Sequence, residues 1–151
     1  KEKSAKRVEN FRAKRAFYDN DKPYQLKRLQ ATVNKYVTYV QEAGKPCYTC
    51  GFVFGENKVG GVFDCGHSFT VGAHPELRFE TRLMRRQCVS CNRYKGGMPD
   101  VFKAKLRDEL GSKLFDELTM ARVMPKLTCS HLIEERKRYN RLLRQAGITP
   151  P

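Results

Sequence analysis

Two cysteine pairs, Cys47-Tyr-Thr-Cys50 and Cys88-Val-Ser-Cys91, bracket a segment containing Asp64-Cys65-Gly66-His67, and Asn92 directly follows the last cysteine. Each C-x-x-C supplies two thiolates, and two such pairs can converge on one tetrahedral zinc that closes the loop between them. The 37 residues between Cys50 and Cys88 are too many for a minimal zinc ribbon and enough for a hairpin plus a connection. Reduced buried thiols are the alternative, but they rarely come as two such pairs. A structural zinc leaves the Asp, the His and the Asn unexplained. Asp64 and Asn92 offer hard oxygen ligands, and His67 is a base that titrates near neutrality. This is the set that a divalent cation needs to polarise a phosphate, so the residues predict a zinc-stapled, metal-dependent nuclease.

Each of these residues also has a plainer reading. Asp64 can form a turn before Gly66, His67 can be a fifth zinc ligand or a core histidine, and Asn92 can cap a helix. Cys65 is expected as a small buried side chain, with replacement of one zinc ligand as the alternative. Cys129 is expected to be buried, and pairing it with His131 on a metal is the weaker reading. His74, ahead of Pro75, is expected at the surface of a loop. Arg78, Arg82, Arg85, Arg86, Arg93 and Lys95 flank the motif. They suit phosphate binding, and one arginine can stabilise developing charge; a solvated basic face is the alternative.

Three regions must position this set: a basic helical region over 1–46, a zinc-bound core over 47–100 and a helical region over 101–151. Residues 1–18 interleave Phe11, Phe17 and Tyr18 with basic residues, and the sequence does not choose between helix and disorder. Pro23 suits the first turn of a second helix, in which Leu26, Leu29, Val33, Tyr36, Val37 and Val40 recur at helical spacing; Gly44 and Pro46 end it. Gly51–Phe54 and Val59–Phe63, around a turn at 55–57, read as the two short strands of a hairpin. Residues 73–87 give no clear signal, and 87–97 should hold a zinc knuckle running into a short helix. Pro99-Asp100 offers a cap for a helix carrying Phe102, Leu106 and Leu110, closed by Gly111. A further helix carries Leu114, Phe115 and Leu118. A last one runs from about Ser130 to Gln145, with Leu132, Ile133, Tyr139, Leu142 and Leu143 on one side. Arg136, Lys137, Arg138, Arg141 and Arg144 make it strongly basic.

The charge narrows the partner. Thirty Lys and Arg against 16 Asp and Glu give a net charge of +14 over 151 residues, which attracts a polyanion over long range. A basic surface that only aids solubility, or a ribosome-associated role, is the alternative. No apolar run approaches a membrane span, and there is no secretory h-region, so no membrane partner is expected and the close C-x-x-C pairs fit zinc in a reducing cytoplasm, with three disulfides of a secreted protein as the alternative for the six cysteines.

Cys47-x-x-Cys50, Asp64-x-x-His67 and Cys88-x-x-Cys91-Asn92 together resemble the HNH (ββα-metal, or His-Me finger) endonucleases with a treble-clef zinc site. Asp64-Cys-Gly-His67, Pro75-Glu-Leu-Arg-Phe79 and Gln87-Cys-Val-Ser-Cys-Asn92 with Lys95-Gly96 resemble, more closely, the phage lambda NinG (Rap) family of recombination endonucleases. The resemblance implies an α+β fold with a small zinc-bound ββα core flanked by basic amphipathic helices. It implies His67 as general base, Asp64 and Asn92 holding one Mg²⁺, with Mn²⁺ as a substitute, and Arg78, within Leu77-Arg78-Phe79, as the best catalytic candidate among the arginines. It further implies cleavage of branched DNA such as Holliday junctions and D-loops by a homodimer, encoded by a phage and acting in the cytoplasm of the bacterial host. Two departures stand out: Cys65 and Gly66 separate Asp64 from His67 where many HNH enzymes have the pair adjacent, and Asn92 stands where others carry a histidine. A non-catalytic zinc-finger DNA-binding protein and an HNH nuclease for plain duplex are the competing expectations. The amphipathic stripes at 26–40 and 132–143 can form either a dimer interface or the monomer core.

Overall fold

A computed structural model describes residues 2–53, 62–120, 123 and 125–151. The framework starts at Asp21, whose carboxylate accepts from the Tyr24 N–H at 3.1 Å and caps helix α2 (Lys22–Tyr36), with Pro23 in its first turn. The helix continues through a π-helical turn, Val37–Gln41. Ahead of it, α1 (Glu2–Asp19) is helical and exposed along most of its length. It meets α2 through the Tyr18 and Tyr24 rings, whose centroids are 4.5 Å apart.

Leu29, Val33 and Val37 of the α2 stripe pack against Leu132 and Tyr139 of α5 (Cys129–Gln145), and Cys65 and Met84 complete this core. The two stripes are therefore spent on each other inside one chain. Each fully buried side chain of this kind contributes about 1.5–3 kcal/mol. Helices of regions 1–46 and 101–151 thus share a core that also takes in Cys65 and Met84 of the centre. A second core joins α3 (Pro99–Leu110) and α4 (Ser112–Thr119) through Phe102, Leu106, Phe115 and Leu118, with Leu77 and Leu83 beneath them. Asp100 sits within the first turn of α3; the cap position is Met98, at φ +49° and without a side-chain capping bond.

The sheet differs from the expected hairpin. Residues 54–61 of that hairpin lie outside the described ones. Strand β1 is Phe63–His67, and its antiparallel partner β2 is Met84–Cys88, in the register Phe63↔Cys88, Asp64↔Gln87, Cys65↔Arg86, Gly66↔Arg85 and His67↔Met84. Only Phe63 of the expected second strand lies in β1, and the partner comes from the stretch that gave no signal. Asp, Gly and His are poor strand formers and Met-Arg-Arg-Gln-Cys is mostly polar, so burial rather than intrinsic preference sets this pairing. A helical turn, Ser90–Tyr94, follows β2 and gives the order strand, strand, helix.

Gly66 is where the two strands are most tightly fitted. A Cβ there would lie 2.6 Å from Gln87 Cδ. Gln87 is fully buried, and its amide donates to Thr49 Oγ1 at 3.1 Å and to the Gly97 carbonyl at 2.8 Å. The side chain therefore cannot swing aside without losing both bonds. Gly66→Ala is expected to lower stability by about 1–3 kcal/mol, while Gly72→Ala, which meets open space, changes it by less than about 0.5 kcal/mol. Urea unfolding of both variants with zinc present measures the difference.

Candidate active site

The four paired cysteines meet. Sγ atoms of Cys47, Cys50, Cys88 and Cys91 all lie within 4.8 Å of one another, and Cys50 and Cys88 are 3.8 Å apart. A tetrahedron with Zn–S near 2.3 Å places its sulfurs about 3.8 Å apart, so the cluster fits a metal such as zinc. Gly51, at φ +74°, donates its N–H to the Cys47 carbonyl at 2.8 Å, and Cys47 N–H donates to Phe52 at 2.8 Å, a tight knuckle that turns both sulfurs inward. Burial raises the Cys47 thiol, but backbone donors at Cys50 and Cys88 and the Thr49 hydroxyl outweigh it and bring it to about 6. Burial pushes Cys88 up to about 12. Sulfurs this close cannot all ionise without a cation among them.

Asp64 and Asn92 also meet. Asp64 leaves β1 towards the turn after β2, where Asn92 Nδ2 donates to its Oδ2 at 3.1 Å. Arg93 Nε and Nη2 donate to Oδ2 and Oδ1 at 2.7 and 2.8 Å. The Arg93 guanidinium holds the Asp64 carboxyl below the usual carboxylate range, against the effect of burial and with help from Asn92. Asn34, Lys35, Thr38 and Tyr39 of α2 and its π-turn form the opposite wall of this cleft. A carboxylate and an amide carbonyl are a donor set that suits Mg²⁺; here Asn92 turns its NH₂ to Asp64, so its amide would have to rotate to offer the oxygen. A cation and Arg93 would compete for the same two oxygens.

His67 lies outside the lining of that cleft. Its Nε2 is 3.2 Å from Asn34 Oδ1, and Asn34 in turn lines the Asp64 cleft. Burial, aided by the charge of Arg78, lowers His67 to about 4, so the ring is neutral at pH 7. Cys65, between the two, is buried among Leu29, Val33 and Val37. Burial pushes its thiol far up.

The basic residues divide. Arg85 and Arg86, expected to bind phosphates, are only 5% and 2% exposed, because both faces of β2 are covered. Arg85 Nη2 donates to Glu109 at 2.8 Å and Nη1 to the Met84 carbonyl at 2.7 Å; Arg86 stacks 3.6 Å from the Phe63 ring centroid. Neither presents its guanidinium to a ligand in solution. Arg93 is held by Asp64, Arg82 is paired with Glu80 at 2.7 Å, and Arg78 Nε donates to Gln30 Oε1 at 3.2 Å. Lys95 is exposed at the end of the helical turn. On α5, Lys137 and Arg138 pair with Glu134 and Glu135, Arg136 is half-buried and Arg141 is exposed. His74 is paired with Glu76 at 3.0 Å, and His131 is exposed at the start of α5. Among the described residues the four cysteines are the one candidate metal cluster of His, Cys, Asp and Glu side chains. Sequence reasoning missed Asn34 and Gln30; the available signal was two amides four residues apart on α2 beside its apolar stripe.

The purified protein is expected to carry one zinc per chain, measured by atomic emission. Cys88→Ser should lose the metal and several kcal/mol of stability, a fall in Tm of roughly 10 °C or more. A strong chelator should reproduce that fall in the wild type, and added zinc should reverse it.

A family model described as Bacteriophage Lambda NinG protein matches residues 1–147. The proteins named Protein ninG from Escherichia phage lambda, Escherichia phage 933W and Salmonella phage P22 are each 32% identical over 95 residues, which cover 63% of this chain and 44% of the relative. The aligned stretch is thus less than half the length of those relatives. No solved structure matches the chain, and among the described residues no helix is long and apolar enough to cross a membrane. With the family model spanning nearly all of it, the chain belongs to the bacteriophage lambda NinG family.

Proposed function

We propose that this chain is a metal-dependent endonuclease of the HNH (ββα-metal) type, phage-encoded, that cuts branched DNA such as Holliday junctions and D-loops in the host cytoplasm. The observation that carries the reading is the meeting of Asp64 and Asn92 at 3.1 Å, beside the four-cysteine cluster and on a strand–strand–helix unit. In this reading the cysteines hold a treble-clef zinc, and Asp64 and Asn92 hold Mg²⁺ or Mn²⁺. The cation, when bound, stabilises charge on the phosphate and on the leaving 3′-oxygen. Arg93 then releases Asp64 and turns to a phosphate, and neutral His67 accepts the proton of the attacking water.

Substrate binding rests on charge. Lys14, Arg15, Arg28, Arg136 and Lys137 line a groove between α1, α2 and α5 together with Phe11, Tyr18 and Tyr24. Burial and the neighbouring charge of Arg28 lower Arg136, and a phosphate backbone laid in the groove relieves that repulsion. Such contacts read the course of the backbone rather than the bases, as selection of a branch requires. Symmetric nicking of a junction calls for a two-fold pair of chains. Because α2 and α5 pack on each other within the chain, the surfaces joining two copies must lie elsewhere.

A second reading is favoured by one observation. With Arg93 and Asn92 on it, Asp64 already has a donor at both oxygens, as a purely structural carboxylate would in a zinc-stapled, non-catalytic DNA-binding protein. Cleavage of a synthetic four-way junction beside linear duplex of the same arm sequence separates the two. Mg²⁺-dependent, junction-selective cutting is expected, with His67→Ala slower by about 10²–10⁴-fold at unchanged zinc content. Tight binding without cutting in either Mg²⁺ or Mn²⁺ would leave the binding protein, and equal cutting of linear duplex would make it a general HNH nuclease.

The pH profile follows from the burial of His67. Its value near 4 is below the ordinary 6.5 of histidine, so the neutral base persists above the folded value and is lost only as pH falls through it. In a pH series, kcat/KM should hold nearly level from pH 8 to about pH 6, with the acidic limb below the range of an unperturbed histidine.

A further inference from the structure

Four polar side chains form a line from β1 into α2. Arg78 Nε donates to Gln30 Oε1 at 3.2 Å. Gln30 Nε2 donates to Asn34 Oδ1 at 2.8 Å and lies 3.3 Å from the Arg78 carbonyl. Asn34 Oδ1 lies 3.2 Å from His67 Nε2. All four are half-buried.

The polarity of this line is forced from one end. A guanidinium has donors only, so Gln30 must turn its oxygen towards Arg78 and its NH₂ towards Asn34. An NH₂ group only donates, so Asn34 must answer with its carbonyl oxygen. That oxygen only accepts, so His67 Nε2 must carry the proton. Reversing either amide would set donor against donor at the Arg78 end or at the Gln30–Asn34 contact.

We infer that Gln30 and Asn34 are positioning residues that fix the tautomer of His67, with Nε2 protonated and Nδ1 carrying the free lone pair. The inference rests on His67 as the base of the proposed reaction only for its consequence in catalysis; the tautomer itself follows from the hydrogen bonds. A neutral imidazole has one N–H, and a base whose tautomer is unset spends part of its population with the proton on the wrong nitrogen. Asn34 also lines the Asp64 cleft, so one α2 side chain holds the base and borders the candidate cation site.

The test reads the tautomer directly. In zinc-loaded protein with ¹⁵N-labelled histidine, long-range ¹H–¹⁵N spectra at pH 7 should show His67 Nε2 as protonated and Nδ1 as unprotonated. Asn34→Asp keeps an acceptor and should keep that pattern. Asn34→Leu removes the acceptor and should give a mixed tautomer, with kcat on a junction lowered by about 10-fold and KM little changed. Gln30→Glu keeps the size and the acceptor for Arg78 but loses the donor. It frees the Asn34 amide to turn its NH₂ to the ring, which moves the proton to Nδ1; this variant decides the matter if Asn34→Leu does not fold. A wild-type Nδ1–H tautomer, or a tautomer that neither Asn34→Leu nor Gln30→Glu moves, would overturn the inference. Absence of cutting by the wild type counts against the nuclease and leaves the spectra to judge the line of hydrogen bonds.

Discussion

Four sulfurs within 4.8 Å of one another are the constraint on which the centre of this protein depends. Thiols so close cannot share that space as thiolates unless a cation stands among them; backbone donors and the Thr49 hydroxyl bring Cys47 to about 6, while burial first, and the neighbouring sulfurs after it, push Cys88 up to about 12. The cluster ties the knuckle at 47–52 to the end of β2 and to the helical turn after it. Splints independent of any metal run alongside: Tyr48 N–H donates to the Arg86 carbonyl at 2.9 Å, and the Gln87 amide spans Thr49 and Gly97. Asn92 is the residue after Cys91, so its place is set by the clamp. Asp64 is placed by strand pairing opposite Gln87. The contact between them is therefore the product of two separate restraints.

Strand geometry explains why the candidate base and the candidate ligand part company. Successive residues of a strand point to opposite faces, and Asp64 and His67 are three apart, an odd number. Asp64 meets the turn at 90–94, while Cys65 enters the α2–α5 core and His67 reaches Asn34 on the same side. The two intervening residues keep the odd separation of an adjacent pair, so the histidine falls on the α2 side, where burial keeps it neutral and a helix side chain can hold its ring. Asn34 rejoins the halves, since it touches His67 and lines the Asp64 cleft.

Much of this was legible in the sequence, and the division follows the physics. Helices α2, α3, α4 and α5 announce themselves by apolar residues at helical spacing and by Pro23, Gly44 and Gly111 at their ends, because tertiary packing uses that same periodicity. The cysteine cluster was legible because two C-x-x-C pairs specify a geometry almost alone. The strands were not. A hairpin written in glycines and valines at 51–63 looks more strand-like than Asp-Cys-Gly-His against Arg-Arg-Gln, yet β1 pairs with the polar segment because the clamp and the α2 core close over it. Helix α1 has no apolar face to decide its state from composition. Gln30 and Asn34 read as ordinary polar residues of a helix until their neighbours across 48 and 33 positions are known.

The arginines of β2 show the limit of reading charge residue by residue. A strand covered on both faces normally reads as a continuous apolar run, whereas every residue of Met84–Cys88 is buried and three of the five are polar. Burying a guanidinium is costly unless its donors are met. Arg85 meets Glu109, two carbonyls and, at 4.0 Å, the buried Glu42, while Arg86 lies against the face of Phe63. A net charge of +14 therefore overstates the positive surface near the motif, and the exposed basic residues gather instead around α1 and α5. A hydrophobic β2 would satisfy local preference better, so the departure has a cause outside the strand. Arg85 reaches Glu109 on α3 and approaches Glu42 after the π-turn, and so ties both cores to the strand that ends in Cys88. The conflict between local preference and global fold falls at the element from which the cysteine clamp and Asn92 are hung, which is where such conflicts are expected to accompany a function.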